Sequence, residues 1–204
     1  MGLAVFGGTF DPIHIGHLII AEQTCNFCDV EQVIFMPAGI PPHKSNNNVS
    51  SKNYRLEMVQ LATADNQHFS CSELEFVKEG NSYTVDTLKE MQRVYPGQKI
   101  YFLIGADSLL DIYNWKQPEY LLENANFIVA RRSGFSLKDI YVDERFRKYR
   151  KNIKLLDNSL IDISSSQIRK LRAAGKSIRY LVLPEVAHYI KTNDLYLECE
   201  NEKR

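Results

Sequence analysis

The sequence predicts a doubly wound α/β fold, a mostly parallel sheet with helices on both faces. One domain is expected over residues 1-204, with a small helical part at its C-terminal end. Three observations predict this. Short apolar runs alternate with amphipathic stretches along the chain. KIYFLIG (99–105) has almost no polar face, as the centre of a parallel sheet requires. No internal repeat and no long linker divides the 204 residues, a length normal for one domain.

The elements follow in order. LAVFG (3–7) is a strand running into a turn at Gly7-Gly8, and apolar residues then recur at helical spacing from Ile15 to about Cys25. QVIFMP (32–37) is a second strand stopped by Pro37, and AGIPPHKSNNNVSS (38–51) is the most loop-like stretch. A helical pattern returns over 53–64. FSCSEL (69–74) reads as a strand and TVDTLKEMQRVY (84–95) as a helix closed by Pro96-Gly97. After KIYFLIG comes the strand ANFIVARR (125–132), then a charged surface helix over 137–151. Short strands around 153–163 lead to SSSQIRKLRAAG (164–175), a capped helix stopped by Gly175. The last helix covers about 184–192. This is the alternation of a Rossmann-like sheet. Ligands in such sheets sit beyond the carboxyl ends of the strands, which groups Gly7-Gly8, Pro37 to Lys44, Gly105 to Asp107 and Arg131-Arg132.

Composition narrows the function classes. Lys+Arg and Asp+Glu are both 25, and this zero net charge argues against a nucleic-acid scaffold. No apolar run approaches the ~18 residues of a membrane span. The N-terminal residues lack a signal-peptide pattern, and Phe6 fails the Ser/Thr of a myristoylation signal, so a cytoplasmic location is expected. Cys25 and Cys28 form a CxxC just downstream of His14 and His17. On one helix, His17 and Cys25 stand about 12 Å apart along the axis, too far to share an ion. The CxxC also falls late in that helix, away from the end that lowers a thiol pKa, so idle thiols are expected.

GGTFDPIHIGH (7–17) carries the chemistry. It follows the first strand and opens the first helix, whose free N–H groups and positive dipole end suit a phosphate. Two glycines permit a sharp turn and close approach of a ligand. His14 and His17, three residues apart, are expected on one helix face with Gly16 leaving room for a polyphosphate. Neither GxxxxGK[ST] nor GxGxxG follows the first strand, which disfavours a P-loop kinase and an NAD-binding dehydrogenase. A second helix start, ISSSQIR (163–169), offers Ser164 to Ser166 as caps and Arg169 as a fork-shaped cation.

Together the two strings resemble the HxGH nucleotidylyltransferase superfamily, whose second motif is ISSTxIR. The resemblance spans almost the whole chain. MPAGIPPHK (36–44), NSYTVDTL (81–88) and FLIGADSLLDIYNWK (102–116) are most similar to bacterial nicotinate-nucleotide adenylyltransferases. It implies transfer of the adenylyl group of ATP to nicotinate mononucleotide, giving deamido-NAD and pyrophosphate. It implies ATP binding by Gly7, Gly8, Thr9, Phe10, His14, His17, Gly105, Asp107, Ser164, Ser165, Ser166 and Arg169, with His14, His17 and Arg169 catalytic. It places the mononucleotide on Lys44, Thr84, Asp107, Trp115 and Arg132, with Trp115 stacked on the pyridine ring. Mg²⁺ is expected on the ATP phosphates and water rather than in a carboxylate cage. Taken alone, Thr84 also reads as an ordinary N-cap, Asp107 as a helix cap, Trp115 as core, and Lys44 and Arg132 as solvated cations.

Other readings stay open at this stage. Nicotinamide mononucleotide or phosphopantetheine acceptors, a CTP donor, and a non-catalytic nucleotide sensor all use related chemistry. A tRNA synthetase is disfavoured by the lack of a KMSKS-like segment. A homodimer is left open.

Overall fold

The structure, a computed structural model, describes residues 1–39, 49–76 and 83–197. Its sheet contains β1 (Gly2–Gly8), β2 (Val30–Pro37), β3 (Phe69–Cys71), β4 (Ile100–Gly105), β5 (Asn126–Ala130) and β6 (Ile153–Leu156). Their order is β3-β2-β1-β4-β5-β6 and every pair is parallel. The helices are α1 (Ile15–Phe27), α2 (Lys52–Thr63), α3 (Thr84–Val94), α4 (Ala106–Leu110), α5 (Pro118–Asn124), α6 (Leu137–Val142), α7 (Ser165–Ala173) and α8 (Pro184–Thr192).

Both faces of the sheet are covered, which is why its strands read as continuous apolar runs. Tyr101, Leu103, Ile128 and Ala130 face one core with Ala21 of α1, Met58 and Val59 of α2, Ile168 of α7 and Val186 of α8. Alternate residues Ile100, Phe102, Phe127 and Val129 face the other core with Leu88 of α3, Leu109 of α4, Leu121 of α5 and Ile140 of α6. Deleting a side chain such as Leu103 would cost roughly 2–5 kcal/mol.

Helix ends follow local chemistry. Pro118 and Pro184 stand in the first turns of α5 and α8, where a missing N–H costs nothing. Ser164 accepts the Gln167 N–H at 3.2 Å, and Gly175 ends the α7 segment at φ +66°.

Three sequence expectations are corrected. β3 stops at Cys71, because the Ser72 hydroxyl accepts the Leu74 N–H and turns the chain. Residues 137–151 are not one surface helix. Asp143 ends α6 and accepts the Arg145 N–H, starting a 3-10 segment over Glu144–Asn152 that buries Phe146 and Tyr149. Of the strands expected around 153–163, only β6 forms. Beyond it the Asn158 amide holds the Arg131 backbone from both sides, at 2.6 and 3.3 Å, and leads the chain off the sheet.

The strand order reverses at β1. From β1 the chain winds outward through β2 and β3, then crosses back by α3 to lay β4 on the other side of β1. The crevice beyond the carboxyl ends of β1 and β4 is therefore the binding position of such a sheet.

Candidate functional site

The β1–α1 loop forms one wall of that crevice. Gly7 and Gly8 are the last ladder residues of β1, paired with Met36 and Pro37, and neither has a positive φ. The sharp turn expected of them is instead made at Phe10, a buried aromatic at φ +49°. Glycine is required at position 8 because a Cβ there would lie 2.9 Å from the Phe10 ring. At Gly7 nothing stands within 4 Å of that position, so its backbone is open to a ligand.

His14 and His17 meet differently from the expectation of a shared helix face. His14 is extended (φ −144°, ψ 167°) and is the N-cap of α1, whereas His17 belongs to the first turn. Their rings stack with centroids 3.6 Å apart. The Phe10 ring holds His17 edge-on at 5.0 Å. Gly16 leaves room for the His14 ring: a Cβ at Gly16 would sit 3.1 Å from His14 Nδ1. His17 Nδ1 accepts the His14 backbone N–H at 3.2 Å, which fixes its neutral form with the proton on Nε2. Burial, reinforced by the Arg132 charge, pushes His14 down to about 4. Burial, His14 and Arg132 likewise hold His17 well below the ordinary imidazole range. At neutral pH the pair offers N–H donors rather than charges.

The ends of β4 and β5 form the facing wall. Asp107 Oδ2 pairs with Arg132 Nη1 at 2.6 Å, while Asp107 Oδ1 is buried without a hydrogen-bond partner. A Cβ on Gly105 would collide with that oxygen and lie 3.8 Å from Arg132 Cδ, so the three residues form one corner. Asp107 does not cap α4, whose N-cap is Gly105. Its free acceptor suits a hydroxyl donor.

ISSSQIR closes the site from the side. Ser165 Oγ donates to Pro12 O at 2.8 Å, and Arg169 Nη1 donates to Asp11 O at 2.7 Å. Arg169 Nη2 reaches Ser166 Oγ at 3.4 Å. The two motifs are thus bonded directly across the fold, with part of the Arg169 fork gripping the loop.

Thr84 opens α3, as expected, with Tyr83 rather than Thr84 in the N-cap position. Lys116 joins it to the Trp115 segment, with Nζ 3.0 Å from Asp86 Oδ2 and 4.5 Å from the Tyr83 ring centroid. Trp115 is partly buried against the second core. Lys44 and His43, together with Asn81 and Ser82, lie outside the described residues.

Three residues here went unread in the sequence. Arg55, 2% exposed, donates from Nη1 to Thr9 O (2.9 Å), from Nη2 to Gly39 O (3.1 Å) and from Nε to Ser50 O (3.1 Å). Buried Asp11 accepts the Ser50 N–H at 3.1 Å and the Tyr196 hydroxyl at 2.6 Å. One signal was available: α2 buries Arg55, Met58, Val59, Ala62 and Thr63, so a cation sits in register with the apolar stripe.

The thiols of Cys25 and Cys28 are free and burial raises both, Cys25 to about 11, which suppresses nucleophilicity. Among the described residues no three His, Cys, Asp or Glu side chains are grouped to hold a metal.

Residues 5–171 match the family model described as cytidylyltransferase-like. A probable nicotinate-nucleotide adenylyltransferase of Desulfitobacterium hafniense (strain Y51) is 42% identical, the match covering 95% of each chain. A protein of the same name from Caldicellulosiruptor bescii is 43% identical over 96% of this chain and 99% of its own. In fold, the chain is similar to Plasmodium falciparum nicotinic acid mononucleotide adenylyltransferase complexed with NaAD. The TM-score is 0.78 at 23% identity, covering 95% of this chain and 96% of that one.

Proposed function

The chain belongs to the cytidylyltransferase-like family, and from that premise we propose its reaction and the part each side chain takes. It transfers the adenylyl group of ATP to nicotinate mononucleotide, giving nicotinic acid adenine dinucleotide and pyrophosphate, the activity named in relatives about 42% identical along its length. The observation that carries the site assignment is the paired wall at the β1/β4 crevice: stacked neutral imidazoles beside the open backbone of Gly7 on one side, and an unpaired Asp107 oxygen on the other.

ATP lies across the crevice. Its adenosine sits beside Gly105, with a ribose hydroxyl donating to Asp107 Oδ1, the buried acceptor that lacks a partner. The phosphates lie over Gly7, Gly8, Thr9 and Phe10 and the N-terminus of α1, where backbone donors face them. His17, its Nδ1 occupied by the His14 N–H, donates from Nε2 to the α/β phosphate oxygens, and His14 donates beside it. Ser164, Ser165 and Ser166 at the α7 start and the Arg169 fork take the β/γ end.

The nucleophile is the mononucleotide's phosphate oxygen, already anionic at neutral pH, so the attack on the α-phosphorus needs no general base. It proceeds in line, the P–O bond to pyrophosphate breaking as the new one forms. The protein positions the two ends and stabilises charge on the transferring group and leaving pyrophosphate. Mg²⁺ bound with ATP would supply charge neutralisation at the phosphates, with no carboxylate cage for it among the described residues. Lys44 and Arg132 bind the mononucleotide phosphate, Trp115 stacks on its pyridine ring, and the first N–H groups of α3 at Thr84 receive its carboxylate.

The test is turnover of MgATP with nicotinate mononucleotide and, separately, nicotinamide mononucleotide, read by chromatography of the dinucleotide and by pyrophosphate release. A carboxylate at a partly buried helix N-terminus gains about 1–2 kcal/mol, so the acid should be preferred by about five- to thirtyfold in kcat/KM. Turnover of the amide with none of the acid would overturn the assignment.

A further inference from the structure

No substrate contact is assigned above to Arg55 or Tyr196, yet both side chains end on the β1–α1 loop. We propose that they are positioning residues for adenylyl transfer, holding that loop in its working shape from behind; this rests on the adenylyltransferase reading above.

The loop needs holding. Phe10 is an aromatic residue at φ +49°, a conformation that persists only where the surroundings impose it. Its neighbours on either side are the two clamped points. Before it, Thr9 O accepts Arg55 Nη1 at 2.9 Å. After it, the Asp11 carboxylate accepts the Tyr196 hydroxyl at 2.6 Å and the Ser50 N–H at 3.1 Å. The same Arg55 fork ties the loop to Gly39 beyond β2 and to Ser50 before α2, at 3.1 Å each. One buried side chain thereby fixes three backbone segments.

Both buried charges are satisfied by hydrogen bonds, Arg55 to three backbone carbonyls and Asp11 to the Ser50 N–H and the Tyr196 hydroxyl. Each is 2% exposed, and a lone charge at that depth is costly. Asp11 raises the proton affinity of Arg55 against its desolvation. Tyr196 reaches Asp11 from near the chain's other end, its own backbone bent to φ +63° to insert the ring beside Met58.

The consequence for catalysis runs through Phe10. Its ring lies 5.0 Å from the His17 ring and fills the space over Gly8. If the loop relaxes, the Phe10 ring that packs edge-on against His17 moves with it. Such a loss lowers kcat more than it weakens substrate binding.

The experiment compares Tyr196→Phe and Arg55→Lys with the wild-type chain. Tyr196→Phe removes one hydroxyl and keeps the packing; Arg55→Lys keeps the charge but cannot reach three carbonyls at once. For each, kcat and the KM of ATP and of nicotinate mononucleotide are measured at 20 °C, beside the thermal unfolding midpoint. The expected result is kcat down about fivefold for Tyr196→Phe and about thirtyfold or more for Arg55→Lys, with the mononucleotide KM within about twofold. Unchanged kcat in folded Tyr196→Phe overturns the proposal, even if its midpoint falls, because a merely structural tie would act on the midpoint alone. Should Arg55→Lys not fold, Tyr196→Phe decides. A wild-type chain that forms no dinucleotide overturns the functional reading and this proposal with it; an active wild type matched by Tyr196→Phe overturns this proposal only.

Discussion

Gly16→Ala separates stability from catalysis within one residue. A Cβ built at Gly16 lies 3.1 Å from Nδ1 and 3.2 Å from Cε1 of His14, inside the ordinary contact distance of ~3.5–4.0 Å. The His14 ring must therefore move by a few tenths of an ångström. Its freedom is limited, because it stacks on the His17 ring at 3.6 Å while the backbone N–H of the same residue bonds His17 Nδ1. On the stability side, alanine in a helix gains roughly 0.5–1 kcal/mol over glycine, which offsets a compression of similar size. The net change in unfolding free energy is expected within about 1 kcal/mol of zero. On the catalytic side, displaced imidazole donors should lower kcat about tenfold, or about 1.4 kcal/mol of transition-state stabilisation. Steady-state pyrophosphate release and urea unfolding, run on one preparation, read the two effects. A kcat within twofold of wild type would refute the claim that Gly16 exists to seat the His14 ring.

Three further predictions concern the same geometry. His14 folds with its pKa near 4 against an ordinary 6.5, so the unfolded chain binds its proton more tightly. Its contribution to stability is complete above pH 6.5 and lost as pH falls toward 4, by about 2.5 kcal/mol at pH 4.5. Urea unfolding at pH 7.5 and 4.5 should therefore show a steeper loss for wild type than for His14→Gln; equal losses would contradict the burial argument. Trp115→Ala should raise the KM of nicotinate mononucleotide by about tenfold, on the order of 1–1.5 kcal/mol for a stacked ring, and leave that of ATP unchanged. A shift confined to ATP would move Trp115 out of the acceptor subsite. Cys25, with a thiol pKa of about 11, should react slowly with a disulfide reagent at pH 8, and Cys25→Ala should retain full activity.

The strands and most helices were legible because both cores act through side-chain period and end chemistry, which the sequence displays. Pro184 opens α8 and Gly175 follows α7 at the places their backbone preferences require. The errors arose where a polar side chain redirects the chain. Ser72, Asp143 and Asn158 each take a backbone group and end an element that residue pattern alone would extend. In the site, residue types were legible and their relations were not. The histidine spacing suggested a shared helix face, yet His14 caps the helix and lays its ring back over Gly16. Arg55 stood in the apolar register of α2 and was readable there in principle. Its Asp11 and Tyr196 partners were not, since the bond joining them spans 185 positions and depends on how the chain's end returns to the first loop.

The central claim is that adenylyl transfer occurs at the β1/β4 crevice on donors supplied by His17. It is tested most directly by following dinucleotide and pyrophosphate formation from MgATP and nicotinate mononucleotide in the wild-type chain and His17→Ala. The account predicts equal amounts of the two products from wild type, and kcat lower by about 10²–10³ in a variant that still unfolds cooperatively. A folded His17→Ala that turns over at the wild-type rate would contradict it.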